Sequence, residues 1–328
     1  MSRANEFRER LQARGLNQEV VNSSVAALEE FEDYLTKNGK SFQSLDLDDV
    51  KRYVSLLIKE RRNSEQRLEA IARCLAFLKK NDELIYLLGT TGAYNVLPDI
   101  GDRLASIAGE KARHRIFERF GLPAFGSPQD MFPPLTARIM KRMEEELPPA
   151  TCKQILTWNY HGIPAEAFQD AKKRFEKASS IDEYLEGEHK ILVNVMEDCV
   201  KQGGIWYEQQ ITPPVVDFVK ANQEITTGVR NGEWIYVTKI PYAPVQFLAE
   251  KDPVKKRYYA CHCQLARTAI RDGKPKISPT FCYCSAGFVK VKFDTVFGEP
   301  VEVQLLESAL KGDIRCRFAI KIPKNKMK

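Results

Sequence analysis

The sequence predicts an α+β protein: an N-terminal helical bundle, a further helical segment, and a C-terminal antiparallel sheet packed against helices. Three observations predict it. Over roughly the first ninety residues apolar side chains recur at three- and four-residue intervals, the period of one helix face. From about residue 205 onward apolar and polar types alternate in short runs rich in β-branched and aromatic residues, the period of a half-buried strand. Between them lie clusters of Gly and Pro that interrupt both patterns.

In residues 1–90, Val20, Val21, Val25, Leu28, Phe31 and Leu35 define one amphipathic helix that Asn38-Gly39 stops. Asp46 and Asp48 offer caps before Val50, Tyr53, Val54, Leu57 and Ile58, and Asn63-Ser64 opens a third run through Leu68, Ile71, Leu75 and Leu78. Residues 91–134 read as a connector with one short helix near Leu104 to Phe120, and residues 135–328 as an α+β, cysteine-rich domain. Its expected strands are 234–238, 258–263, 288–293, 301–305 and 315–322, with turns at Asn231-Gly232 and Phe297-Gly298-Glu299.

The 328 residues are 43% hydrophobic and 29% charged, which excludes bulk disorder and allows a sizeable core. Neither a signal-peptide pattern nor a membrane-length apolar run is present, so the expected location is the cytoplasm, without membrane partners. The net charge of +6 concentrates in the last eighty or so residues as a lysine-rich surface. Gly89-Thr-Thr-Gly92 lacks the Gly-Lys-Ser/Thr of a phosphate loop and reads as a turn.

Five of the eight cysteines fall in the last quarter: Cys261 and Cys263 flank His262, Cys282 and Cys284 flank Tyr283, and Cys316 follows. In an extended strand residues i and i+2 share a face, so each Cys-x-Cys pair would present two thiols together. Four or five converging sulfurs suit a soft, thiolate-loving metal, with zinc expected and an iron–sulfur cluster an open alternative occupant. Redox chemistry and simple burial of small hydrophobic side chains are the competing readings. On a strand His262 would point away from its flanking cysteines, at the surface or behind the ligands. Cys74, Cys152 and Cys199 sit in helical contexts and read as structural.

Weaker candidates complete the reading. Trp206, Tyr207, Trp234, Tyr236, Tyr242 and Phe247 would line an apolar pocket or form core. Glu197, Asp198, Glu208, Tyr160 and His161 are candidate acids or bases, but no spacing defines a catalytic set, and the catalytic residues stay unassigned.

Two stretches resemble known families. Gly15-Leu-Asn17, Phe31-x-x-Tyr34-Leu35, Leu45-x-x-x-Asp49-Val50 and Leu75-x-Phe77-Leu78 give the N-terminal quarter a resemblance to the core-binding (SAM-like) domain of tyrosine recombinases. The recombinase catalytic domain is not matched, since none of the four histidines has an arginine three places on. That resemblance implies a DNA-binding role through Lys51, Arg52, Lys59, Arg61, Arg62 and Arg67, against which nearby carboxylates favour a protein-interaction module.

The segment Cys284-Ser-Ala-Gly287-Phe288, then Val301-Glu-Val303, then Gly312-Asp-Ile-Arg-Cys316-Arg-Phe318 resembles the close of the 4-vinyl-reductase-type, hydrocarbon-binding domain and, distantly, aminothiazoline-carboxylate hydrolase-like proteins. The first resemblance implies a pocket for a small apolar ligand, in some members with a structural zinc. This chain departs from the zinc-bearing pattern at Leu305 and Ser308, where Glu and Cys are usual, so Cys261 and Cys263 would supply the missing sulfurs. The expected function is a small-molecule binding or sensor protein with a cysteine-ligated zinc. The alternative is a metal- or thiol-dependent hydrolase or redox enzyme, and a lower alternative a recombinase-derived DNA-binding accessory protein.

Overall fold

The structure is a computed structural model that describes residues 2–327 and divides into two units, 2–94 with 121–131, and 95–120 with 132–327. Its architecture is α+β: the N-terminal region is helical, and the C-terminal region is a four-stranded antiparallel sheet with helices. Among the described residues no helix is long and apolar enough to cross a membrane.

The smaller unit holds α1 (Arg3–Ala13), α2 (Gln18–Lys37), α3 (Leu47–Lys59), α4 (Glu65–Phe77) and α5 (Asn81–Thr91). Of the residues 44–48 that offered caps, Asp46 makes one, in a reciprocal box with Asp49 at the start of α3, and the Ser64 hydroxyl accepts from the Arg67 amide as expected. Phe31 stacks on Tyr53 at 4.6 Å between ring centres, with Leu28, Leu57 and Leu68 buried in the same unit. The segment 121–131 is tied in by Asn63 Nδ2 donating to the Phe125 carbonyl at 2.8 Å and Gln129 Nε2 to the Gly89 carbonyl at 2.7 Å.

The larger unit begins with α6 (Val96–Ala108), α7 (Glu110–Phe117), α8 (Pro133–Glu146), α9 (Pro149–Leu156), α10 (Gln169–Lys177) and the long α11 (Ile181–Gln202). The stretch expected to be a connector with one short helix thus carries two, α6 and α7. A two-stranded hairpin, β1 (Ile205–Trp206) and β2 (Gln209–Gln210), leads to α12 (Pro213–Lys220). Then come β3 (Val229–Asn231), β4 (Trp234–Thr238), α13 (Pro244–Ala249), α14 (Pro253–Ala260), α15 (Arg267–Asp272), α16 (Tyr283–Phe297), β5 (Val303–Glu307) and β6 (Arg317–Lys321). The sheet order is β3-β4-β6-β5, every pair antiparallel. Asn231-Gly232 makes the β3–β4 hairpin as expected.

Two expected strands are helices. Residues 258–263 belong to the end of α14 and the loop after it, because Asp252 caps the Lys255 amide and Pro253 occupies the first helical position. Residues 288–293 lie inside α16: the alternation there is real, but Val289, Phe293, Val296 and Phe297 also repeat at helical spacing and pack on one core. Gly298, expected in a hairpin, instead ends α16 in the left-handed region at φ 75°.

The core between sheet and helices joins Ile235 and Val237 of β4 and Ile320 of β6 to Tyr184 and Leu185 of α11 and to Phe293, Val296 and Phe297 of α16. Beside it an ion triad links three helices: Arg174 Nε to Glu188 at 2.5 Å and Lys292 Nζ to Glu188 at 3.2 Å. Burial alone would raise the Glu188 pKa, but the bond from Arg174 and the charge of Lys292 outweigh it and hold the carboxyl below its ordinary range. A depressed folded pKa means the stabilisation is full above the unfolded value near 4.5 and is lost as pH falls through the folded one. We therefore expect acid titration to lower the unfolding free energy of this unit across that window. Glu188→Gln should cost about 3 kcal/mol or more near neutral pH and flatten the acid limb. Denaturant titrations at several pH values check both.

Candidate functional site

The inner face of the sheet sets the site. Side chains two apart share a face, so Ile235 and Val237, which point into the core, are followed on the same side by Lys239. The pairing of Val237 with Phe318 and Thr238 with Arg317 continues one step further, with the Lys239 amide donating to the Cys316 carbonyl at 3.0 Å. Cys316 and Lys239 are therefore cross-strand neighbours on the face that α16 covers. From α16, Ser285 accepts from Lys239 Nζ at 3.2 Å and the Phe288 ring lies 4.4 Å from that nitrogen.

The remaining cysteines arrive by different local routes. Cys261 caps the C-terminus of α14, and the turn after it is closed by the Ala266 and Arg267 amides on the Cys263 carbonyl. Thr136 of α8 anchors this loop through its hydroxyl on the Leu265 carbonyl at 2.9 Å. Cys282 ends a short 3-10 turn and Cys284 lies in the first turn of α16. The expected geometry, two pairs on strands, is therefore replaced by a loop pair and a helix-start pair.

Three of the five thiols share one apolar neighbourhood. Cys261 and Cys316 share one buried cluster with Ala286, Ala309 and Phe318, and Cys263 packs on it. Burial pushes the Cys261 and Cys284 thiols up to about 12, and raises Cys263, Cys282 and Cys316 as well. A second cause is mutual: Cys263 feels Cys261, Cys284 and Cys282, while Cys282 feels Cys316, Cys261 and Cys284. Lys239 in turn feels Cys316, Cys284, Cys261 and Cys263. All eight cysteines are free thiols. Among the described residues no three His, Cys, Asp or Glu side chains are already arranged as a metal-holding set, so a bound ion would have to draw the sulfurs inward.

Lys239, His262, Cys263 and Cys282 keep part of their surface open, yet burial is the first cause of each one's shifted pKa. His262, expected at the surface or behind the ligands, is held here by the Ile240 carbonyl at Nε2. A carbonyl only accepts, so the proton sits on Nε2 and Nδ1 is left as an acceptor. Burial first, then the charge of Lys239, drives its pKa well below the usual value, and the ring is neutral.

Of the weaker candidates, Glu208 and Tyr242 come to this region, the Tyr242 ring packing edge-on to His262 at 5.6 Å between ring centres. Glu208 accepts from Gln264 Nε2 at 3.1 Å and is hydrogen-bonded to Tyr242, and burial raises its carboxyl above the ordinary range. It is carried by the turn between β1 and β2, where Tyr207 adopts φ 54°. Apart from His161, which packs on Phe288 beside Lys239, and Tyr160, which senses Cys284, the others lie elsewhere. Glu197 and Asp198 pair with Lys220 and Lys201, Trp234 and Tyr236 sit under Lys321 and Arg317, Phe247 contacts Phe218, and Tyr207 is exposed. His161 packs edge-on against Phe288 at 5.3 Å, and Tyr160 is buried with its hydroxyl on the Ile155 carbonyl. Cys74, Cys152 and Cys199 each donate to a backbone carbonyl.

Sequence reasoning missed Lys239 and Arg267. Arg267, in the first turn of α15, lies between the Tyr242 and Tyr258 rings, 4.0 and 4.3 Å from their centres. The signal for Lys239 was present: a lysine two places beyond two inward-facing residues of one strand.

A family model described as DUF6144, a family of unknown function, matches residues 247–328. That stretch holds all five cysteines, while Glu208, Lys239 and Tyr242 lie outside it. No curated protein and no solved structure matches the chain.

Proposed function

We propose that the larger unit is a cytoplasmic small-molecule binding or sensor module whose site is formed by Cys261, Cys263, Cys282, Cys284 and Cys316, and that these thiols take zinc. The observation that supports this is the approach of free thiols from three separate chain segments: Cys261, Cys263 and Cys316 share one apolar cluster, and Lys239 senses Cys316, Cys284, Cys261 and Cys263. Plain burial of cysteine needs no such convergence. Zinc requires thiolates, and a set of three or four carries net negative charge even with the metal bound; a cation such as Lys239 beside it offsets that charge. Zinc analysis of protein purified without added metal tests this. About one zinc per chain is expected, falling to near zero when Cys263 and Cys282 are both changed to Ser; metal-free native protein with unaltered stability would reject it.

A second reading, a hydrolase or redox enzyme working through a thiol or a metal-bound water, is favoured by the company the cysteines keep. Glu208, Lys239 and neutral His262 are proton-transfer groups in the same region. For the smaller unit we favour a protein-interaction role. Arg62 and Arg67 are committed to Glu30, Arg52 to Asp49 at 2.7 Å and Lys51 to Asp48 at 2.9 Å, which leaves little charge for a duplex.

A further inference from the structure

Trp158 is 50% exposed, yet the turn that carries it is firmly held. Its amide donates to the Leu156 carbonyl at 2.9 Å, its carbonyl accepts from the Tyr160 amide at 3.0 Å, and Gly287 of α16 packs directly on its backbone. Asn159 closes the loop that follows, Nδ2 donating to the Ile163 carbonyl at 2.8 Å and Oδ1 accepting from the Ile163 amide at 3.1 Å. The ring is held as well, because the Arg103 guanidinium of α6 lies 3.7 Å from its centre. Arg103 is half-buried, and among the described residues its guanidinium makes no hydrogen bond and no ion pair. Asp102, the acidic residue beside it in the chain, is committed to Arg113 at 2.8 Å. Only Nε is enclosed, so both Nη nitrogens keep open surface and free donors. One patch of the larger unit thus carries a large exposed ring and an unpaired cation, each ordered by the other.

We propose that Trp158 and Arg103 form a docking surface for a partner protein, and that the partner's segment presents a carboxylate beside an apolar side chain. The two Nη nitrogens of a planar guanidinium match the two oxygens of a carboxylate, and the stack on the indole already holds that plane in place. The partner's apolar side chain covers the exposed part of the ring. Tryptophan and arginine are the types that concentrate binding energy at the centre of interfaces, and a ring ordered in advance loses little freedom on docking. The charge around the patch selects among anions. Asp99 and Asp102 on the same helix are exposed, which disfavours a polyanion such as a nucleic acid or an anionic membrane and leaves room for a single carboxylate in apolar company. This surface goes beyond the small-molecule reading and depends neither on it nor on zinc.

The test is selection of random twelve-residue peptides on the full chain from a display library, followed by fluorescence polarisation of the enriched peptides. Enriched sequences are expected to place Asp or Glu beside Leu, Ile, Phe or Met, and to bind at least tenfold more tightly than the same peptides with Asn or Gln in the acid's place. Arg103→Gln and Trp158→Ala should each weaken binding at least tenfold, and Arg103→Lys, which keeps the charge without the plane, at least threefold. Trp158→Phe keeps a ring, and should lose the peptide-induced change in tryptophan emission even where the harsher variants fail to fold. An enriched set without acidic residues, binding that survives Arg103→Gln and Trp158→Ala, or an emission change that persists in Trp158→Phe places the contact elsewhere and overturns the proposal. So does a selection that enriches nothing. None of these outcomes touches the zinc content, which tests the cysteine reading by itself.

Discussion

Gly287→Ala should be among the most damaging single-methyl changes in the larger unit, lowering its unfolding free energy by about 3 kcal/mol or more. Helix propensity alone predicts the opposite sign, since Ala in a helix interior is favoured over Gly by about 1 kcal/mol. Packing decides. A Cβ on Gly287 would fall well inside van der Waals contact with the backbone N and O of Trp158 and lie 2.9 Å from its carbonyl carbon, and backbone cannot rotate away as a side-chain tip can. The contact seats α16 against the turn that follows α9, so relieving it must shift α16, and with it Cys284, Ser285 and Phe288. Gly187→Ala is the control: it too is inside a helix, α11, but nothing lies within 4 Å of its added Cβ. That variant should be stabilised by about 0.5–1 kcal/mol through the unfolded chain's lost freedom. Denaturant unfolding of both variants checks the pair; a Gly287→Ala protein as stable as the parent would mean that α16 is not seated on the Trp158 turn.

How much of this was legible beforehand depends on which signals compete. The smaller unit was readable because period, caps and stops agree: Asp46, Ser64 and Gly39 all stand where the apolar repeat begins or ends. The sheet's central strands were readable for the same reason. At 288–293 two periods coexist in one sequence, and the helix prevails because its apolar positions extend to Val296 and Phe297, beyond the six residues over which alternation holds. At 258–263 the aromatic run suggested a strand, but Asp252-Pro253 had already started a helix that runs into it. Of the five cysteines expected to converge on two strand faces, Cys261, Cys263 and Cys316 share one apolar cluster, and among the described residues no metal-holding set is formed. Convergence comes from tertiary contacts, a β4–β6 pairing and a helix start above it, and not from two strands with thiols on one side. Lys239 and Arg267 did not stand out in the sequence because their burial comes from tertiary contacts, and a sequence shows a charge without showing what encloses it.

Substituting Cys263 or Cys282 by Ser should lower stability and ligand binding together, by more than the exchange of one buried thiol for a hydroxyl explains. The hydroxyl alone costs on the order of 1–3 kcal/mol if left unpaired, and Cys282 already shares a hydrogen bond with Ser308, which a serine hydroxyl could keep. A lost metal ligand costs more, because zinc binds the folded arrangement and its binding energy, of order 10 kcal/mol for structural sites, is part of the folding energy. The two causes separate with a chelator. In the parent, chelation should lower the unfolding midpoint of the larger unit and render thiols reactive to a bulky disulfide reagent; in Cys263→Ser and Cys282→Ser it should change little further. Cys152→Ser, whose thiol donates to the Met143 carbonyl at 3.4 Å, should respond to chelation as the parent does. Variants with an unchanged midpoint that lose turnover of a substrate would instead mark the thiol as a nucleophile. Lys239, His262 and Glu208 would then be the groups that manage its proton. Because burial holds the thiols protonated in the metal-free arrangement, such a nucleophile would need one of those bases beside it, and Glu208→Gln or His262→Gln should then abolish turnover while leaving the fold intact.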